Sequence, residues 1–275
     1  MSSQKPTFTV LVPFFNEGGF LRSTLESWAN QTRLPERMLL IDNASTDNSA
    51  QIALDFQKSQ AGRIDVICLS ESRPGKIFAL ESAHSSIQGE WAVFCDADTF
   101  YPTRYLELLE QHSLIAPAST VCLMAIDLTQ PYQTASSLTK LWIKWFMSKI
   151  FSHKCHTGGF GQTFRVNALN ACGGFHSKFW SFVLMDHEIV HRLHKLGSSY
   201  YHPDLWCMPS QRRGNRKNVR WTICERLLYF LVPKSKEDWF FYQFLKDRFA
   251  KRKLAHLNLR NQPWTSSHIG GTQKP

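Results

Sequence analysis

Apolar and polar positions fall in blocks along the first third of the chain. Thr7–Phe14 (TFTVLVPF), Met38–Ile41, Ile64–Leu69 and Trp91–Cys95 are short runs rich in β-branched and aromatic residues. Runs of this length closed by polar turns predict buried strands. The stretches between them carry helical spacing: Phe20–Asn30, a segment through Phe56 that Ser45 or Asp47 can cap, and Lys76–Ile87. Strand and helix alternate four times, which predicts a doubly wound, mostly parallel central sheet with flanking helices. Sheets of this kind bind ligands in a crevice beyond the carboxyl ends of their strands.

After Asp98 the pattern loosens. Tyr105–Ile115 reads as a helix, Thr120–Ile126 as a strand and Ala135–Phe151 as a long helix. In that helix Leu138, Leu141, Trp142, Trp145, Phe146 and Phe151 stand near helical spacing. Such a stripe reads first as a core face, while Lys140, Lys144 and Lys149 leave a surface role open. A helix is also predicted around Met185–Gly197, with Ile189, Val190, Leu193 and Leu196 facing inward and Asp186 at the head of that face. His187, His191 and His194 share another sector, which reads as exposed and polar, and Glu188 points away from the inward face. Tyr200–Cys207 suggests a short strand. The organisation that follows is a ligand-binding half at 1–98, a second half of the same domain at 99–215, and a helical, basic and aromatic tail at 216–275.

Charge narrows the partners. The 275 residues carry a formal net charge of +10, so anionic partners are favoured: nucleotide diphosphates, acidic lipid surfaces or nucleic acid. No nucleic-acid-binding signature accompanies the charge, and nucleic acid is set aside. Seven scattered cysteines, an odd number, read as buried thiols in a reducing compartment. Met1–Pro6 lacks an apolar signal core, and no uncharged stretch is long enough to span a bilayer. The expected location is cytoplasmic. The tail's aromatic residues and cations fit either packing on the domain or peripheral attachment to the anionic inner face of a membrane.

Acids recur where the strands end: Glu17, Asp42, and Asp96 with Asp98. Side chains alternate along extended backbone, so Asp96 and Asp98 can face the same way and offer oxygen ligands to Mg2+ or Mn2+. Arg73-Pro74-Gly75-Lys76 places two cations at a helix start, where the backbone already favours an anion. Carboxylates for a metal beside cations for phosphate describe a nucleotide-diphosphate site. Asp186, a carboxylate on a core-facing sector, needs a cleft, a metal or a donor beside it. Gly158, Gly159 and Phe160 belong to a glycine-dense loop that lets backbone approach a ligand closely. Arg212, Arg213, Arg216, Arg220 and Trp221 lie in a basic segment that could close over a leaving diphosphate. His153-Lys154-Cys155-His156 is poorly spaced for structural zinc.

Val12-Pro13-Phe14-Phe15-Asn16-Glu17, Asp42-Asn43-Ala44-Ser45-Thr46-Asp47, Arg73-Pro74-Gly75-Lys76 and Asp96-Ala97-Asp98 resemble, in this order, the motifs of the family 2 glycosyltransferases. The resemblance implies a Rossmann-like GT-A fold and an inverting transfer of one sugar from a nucleotide diphosphate sugar to an acceptor hydroxyl. It implies that Pro13 and Glu17 line the nucleotide pocket and that Asp42 accepts a hydrogen bond from the base, usually uracil. Arg73 and Lys76 would lie near base and diphosphate, Asp96 near ribose and metal, and Asp98 on the metal. The Gly158-Gly159 loop would touch donor sugar and acceptor. Asp186 would be the general base, with Arg192 at the family's interval and Met185 in place of the usual preceding acid. Ala171-Cys172-Gly173-Gly174-Phe175 also fits the family and looks structural. Processive members carry Gln-x-x-Arg-Trp; Lys217-Asn218-Val219-Arg220-Trp221 lacks the glutamine, which favours single addition. A UDP-sugar donor and an amphipathic or lipid-linked acceptor are the favoured partners. The alternatives are a nucleotidyltransferase, which would release pyrophosphate, and a non-catalytic nucleotide-sugar-binding or scaffold protein.

Overall fold

The computed structural model describes residues 5–129, 134–210 and 221–261. The strands are β1 (Phe8–Phe14), β2 (Arg37–Asp42), β3 (Asp65–Ser70), β4 (Trp91–Phe94), β5 (Thr99–Phe100), β6 (Thr120–Asp127), β7 (Gln162–Arg165) and β8 (Ser198–Pro209). The principal helices are α1 (Leu21–Ala29), α2 (Ser49–Ser59), α3 (Lys76–Ala83), α4 (Tyr105–Ile115), α5 (Ala135–Ile150), α6 (Val166–Ala171), α7 (Met185–Leu193) and α8 (Ile223–Leu231). β1 is buried at all 7 positions, as an unbroken apolar run must be when helices cover both sheet faces. Leu21, Leu25, Ile52, Phe56, Leu106 and Leu109 pack on one face. Ile77, Leu80, Ile189 and Leu193 pack on the other.

The strand order is β3-β2-β1-β4-β7-β6-β8-β5. β1 pairs in parallel with both β2 and β4, and β2 with β3. The chain leaves β1 toward β2 and β3 on one side and returns to β4 on the other, so the loops after β1 and β4 diverge and open a crevice. That crevice positions the site. In the second half β7 runs antiparallel to β4 and β6, β8 parallel to β6, and β5 antiparallel to β8. The sheet as a whole is therefore mixed, its parallel half being the one that the strand-helix alternation predicts.

Downstream of β8, α8 opens with a capping box between Thr222 and Glu225. A helical run follows through Glu237–Trp239, a π-helical turn at Phe240–Leu245, and Lys246–Lys251. Phe240, Phe241 and Phe249 are fully buried. Burial of each phenylalanine is worth about 1.5–3 kcal/mol, against about 1 kcal/mol for each cation at an anionic membrane. Packing on the domain thus wins for these tail aromatics.

Two expectations are corrected. In α5 Leu141 points inward and Trp145 packs against the core, while Leu138, Trp142 and Phe146 are exposed, so half of the apolar stripe is not core. His191 on α7 and His194 at its C-cap are buried. His191 meets Glu237 and Asp238 at 3.0 and 2.7 Å, and His194 bonds the His153 carbonyl and Ser199.

Candidate active site

Hydrogen bonds between loops build the rim of the crevice. After β1, Asn16 adopts a positive φ of 52° and its Oδ1 accepts from the Thr46 amide at 2.7 Å. The Glu17 amide donates to Ser49 Oγ at 2.8 Å, and the Gly18 amide to Asp47 at 2.9 Å. Asn43 does the same on the next loop: its amide group donates to Glu71 O and Arg73 O, and its Oδ1 accepts from the Gly75 amide. Gly75 has φ 130° and the His256 ring occupies the space a Cβ would need, so glycine is required on both counts.

Pro13, Glu17, Lys76, Asp96 and Asp98 together line a cavity of about 270 Å³. Lys76, at the first turn of α3, is ion-paired with Asp96. Two of the expected nucleotide residues are not among the lining. Arg73 turns its guanidinium onto Glu71, with bonds of 3.0 and 2.7 Å, and lies over the Phe78 ring. That pairing satisfies the charge outside the cavity and holds the Glu71 carboxyl below its usual value. Asp42 accepts from the Ser45 amide at 3.0 Å, closing the β2 turn, and the neighbouring Asn43 lines the cavity instead.

The sequence reading missed Met185, His256 and Arg260, which complete the wall. The last two arrive from the far end of the chain. Leu254 accepts from the Val183 amide and the His256 amide donates to Ser181 O, pinning this segment beside the site. Arg260 then donates to Asn43 O at 2.7 Å and Asn43 Oδ1 at 2.9 Å. Nothing local in a polar, basic tail could have signalled this.

A second cavity, of about 600 Å³, contains Asp186, His187, Gly158, Phe160, His156 and Tyr229 among its walls. Asp186 sits in the first turn of α7, where the helix dipole favours a carboxylate. Its Oδ2 accepts from the Gly159 amide at 3.1 Å, and its Oδ1 accepts from the His187 amide at 3.1 Å. Gln162 Nε2 donates to the Asp186 carbonyl, and Leu184, immediately before the helix, is held at φ 66°. The glycine loop and the helix start are thereby locked together. A Cβ on Gly159 would stand 3.2 Å from Lys76 Nζ and 3.7 Å from Asp186 Cβ, so Gly159 lies between a residue of the first cavity and one of the second.

Glu188, which the helical pattern turns away from the inward face, faces inward instead. It is buried, accepts two bonds from Arg192 at 2.8 and 3.0 Å, and accepts one from the Tyr242 hydroxyl at 2.7 Å. Trp221 lines the second cavity and places its ring 5.1 Å from that of His187. Arg212, Arg213, Arg216 and Arg220 lie outside the described residues. Burial pushes the His156 imidazole down to about 4, so this wall residue is neutral at physiological pH.

Asp96 and Asp98 bring carboxylate oxygens to the first cavity, and an all-oxygen donor set with room for diphosphate oxygens suits Mg2+ or Mn2+. Among the described residues, a His/Asp cluster that could hold a metal, His112, His202 and Asp204, lies elsewhere. Its imidazoles are 4.3 Å apart and only 35° from parallel, and His202 Nδ1 already accepts from the Asp204 amide. It touches neither cavity.

Comparison with known proteins agrees with this layout. The sequence profile of Glycosyl transferase family 2 matches residues 9–169. Glycosyltransferase GlyG of Streptococcus pneumoniae serotype 4 is 31% identical over 103 residues, which are 38% of this chain and 34% of GlyG. Other curated relatives are matched over about half of their length at most, 51%. Among solved structures, the mannosyltransferase PcManGT from Pyrobaculum calidifontis, in complex with GDP-Man and Mn2+, superposes with a TM-score of 0.61 at 20% identity, over 83% of this chain and 64% of that one. S. aureus TarS 1-349 in complex with UDP-GlcNAc gives 0.55 at 15% identity, over 93% and 76%. These likenesses establish the GT-A fold, and with the profile match covering more than half of its residues, the chain belongs to glycosyl transferase family 2.

Proposed function

We propose that the protein transfers one sugar from a nucleotide diphosphate sugar, UDP-linked by preference, to an acceptor hydroxyl with inversion at the anomeric carbon. The observation that carries this reading is the position of Asp186: its carboxylate faces the second cavity while the Gly159 amide on its Oδ2 marks the boundary with the first. The first cavity is then the donor site and the second the acceptor site.

In this reading Pro13, Glu17, Asn43 and Lys76 hold the nucleotide diphosphate, and Asp98 with Asp96 would hold Mg2+ or Mn2+. The metal, when bound, offsets negative charge on the leaving diphosphate. Asp186 takes the proton from the acceptor hydroxyl as its oxygen attacks the anomeric carbon from the side opposite the leaving group. The Gly159 and His187 amides fix the carboxylate's orientation, and the Gly158–Phe160 loop shapes the passage between the two sites. Aromatic walls at Phe160, Trp221, Tyr229 and Phe230 favour an amphipathic or lipid-linked acceptor. A cytoplasmic enzyme, peripheral on the inner face of a membrane, accommodates such an acceptor and the seven free thiols.

The test is a panel of nucleotide sugars with and without divalent metal, followed by product release. Metal-dependent nucleotide diphosphate release, lost by about a thousandfold or more in Asp186→Asn with donor affinity within twofold of the parent, is the expected result. Equal turnover by Asp186→Asn removes it from the base role. Pyrophosphate as the product would instead identify a nucleotidyltransferase, and binding without turnover a scaffold.

A further inference from the structure

α5 and α8 both line the acceptor cavity, through Lys144 and Met147 on the first and Arg226, Tyr229 and Phe230 on the second. Each also turns an apolar stripe outward. On α5, Trp142 and Phe146 are 58% and 59% exposed, with Leu138, Ile143 and Ile150 beside them. On α8, Ile223, Leu227 and Leu231 recur every fourth residue and are 79%, 58% and 77% exposed. Single exposed hydrophobics are ordinary, but outward apolar stripes on two helices that line one cavity call for an occupant.

Charge identifies the occupant. α5 contains three lysines and no acid; Lys140 and Lys144 are ion-paired with Asp127, which leaves Lys149 as the exposed cation of that helix. The single acid of α8, Glu225, is buried and held by Arg248 and Arg252, which leaves Arg226 as that helix's exposed charge. Lys234 and Lys236 follow on the next turn. Large apolar side chains bordered by cations fit the interface of an anionic bilayer. A second copy of this chain fits poorly, because pairing the faces would set like charges together in molecules of net charge +10. Spanning is not at issue: among the described residues no helix is long and apolar enough to cross a membrane.

We propose that the outward faces of α5 and α8 dock on an anionic lipid surface, so that the cavity both helices line takes its acceptor from that surface. The role of the cavity rests on the transferase reading; the docking itself does not. The α8 half of this surface belongs to the 216–275 tail, where Ile223, Leu227 and Leu231 carry it while Phe240, Phe241 and Phe249 are core.

Flotation with phosphatidylcholine vesicles containing about one third phosphatidylglycerol tests the proposal. The full chain should bind these vesicles and not pure phosphatidylcholine. Trp142→Glu/Phe146→Glu and Ile223→Glu/Leu227→Glu should each lower binding by about tenfold or more, while Ile115→Glu, at an exposed position on α4, should not. Binding that survives both double variants, a parent that ignores anionic vesicles, or a dimer that dissociates in the same variants would overturn it. Nucleotide-sugar hydrolysis by the double variants should match the parent, which establishes that they fold. If the parent hydrolyses no nucleotide sugar, the transferase reading fails and flotation still decides the docking.

Discussion

The guanidinium of Arg260 lies over the ring of Phe15, with its central carbon 3.3 Å from the ring centroid. The two residues are separated by almost the whole chain, yet both line the donor cavity. Arg260 also bonds Asn43, the neighbour of the Asp42 that the family resemblance assigns to the base. Arg260 holds two wall residues of this cavity, Phe15 and Asn43, in place, and loss of a contact worth about 1 kcal/mol or somewhat more should loosen that wall, so Arg260→Ala should weaken binding of UDP by roughly fivefold or more. Titration calorimetry with UDP in the presence of metal measures this. Tighter binding by the variant would mean that Arg260 blocks the base site rather than completing it.

Gly159 separates Lys76 from Asp186. A methyl group at this position would stand within 3.2 Å of Lys76 Nζ, and relieving the contact must disturb either the Lys76–Asp96 pair or the amide bond to Asp186. Gly159→Ala is expected to lower kcat by about tenfold through misplacement of the base, with little change in melting temperature. Steady-state kinetics beside a thermal melt decide it: unchanged kcat would show that the loop tolerates the methyl.

Lys154 is fully buried, donates to Val232 O at 2.8 Å and Glu237 at 2.6 Å, and lies over the Tyr229 ring. It ties α8 and the following helical run to the domain. Lys154→Met would leave Glu237 buried with His191 as its remaining close partner, and loss of one member of a buried pair costs about 3–5 kcal/mol. Chemical denaturation should register a drop of that order, partly restored by the second change Glu237→Gln. A variant as stable as the parent would show that the pair contributes no net stability.

Stability should also depend on pH in a defined window. Burial pushes both His156 and His194 down to about 4, against about 6.5 in an unfolded chain. Folding therefore favours the neutral rings. Their contribution is fully present above pH 6.5 and is lost as pH falls through 4, at up to about 1.4 kcal/mol for each tenfold difference in proton affinity between the folded and unfolded chain. His194 Nδ1 donates to the His153 carbonyl while Nε2 accepts from the Ser199 hydroxyl, an arrangement available to the neutral ring. Melts of the parent and His194→Gln between pH 7 and pH 4 should converge on acidification. Parallel curves would remove His194 from the pH response.

Local pattern was enough for the parallel half of the sheet. A four- to eight-residue apolar run followed by a polar turn locates a strand end whatever surrounds it, and alternation then sets Glu17, Asp96 and Asp98 on one rim. Asp186 was legible for a similar reason, as a carboxylate on the apolar sector of a short helix. Tertiary structure decided the rest, because periodicity reports that a helix face is apolar or charged but not what meets it. The α5 stripe faces outward since no later element among the described residues covers it, whereas His191 and Glu188 are buried because the tail brings Glu237, Asp238 and Tyr242 against α7. Arg73 was set at the site by motif, but Glu71 two residues earlier neutralises it first. His256 and Arg260 close the donor cavity through contacts that span most of the chain, and such long-range pairing leaves no trace in the residues on either side.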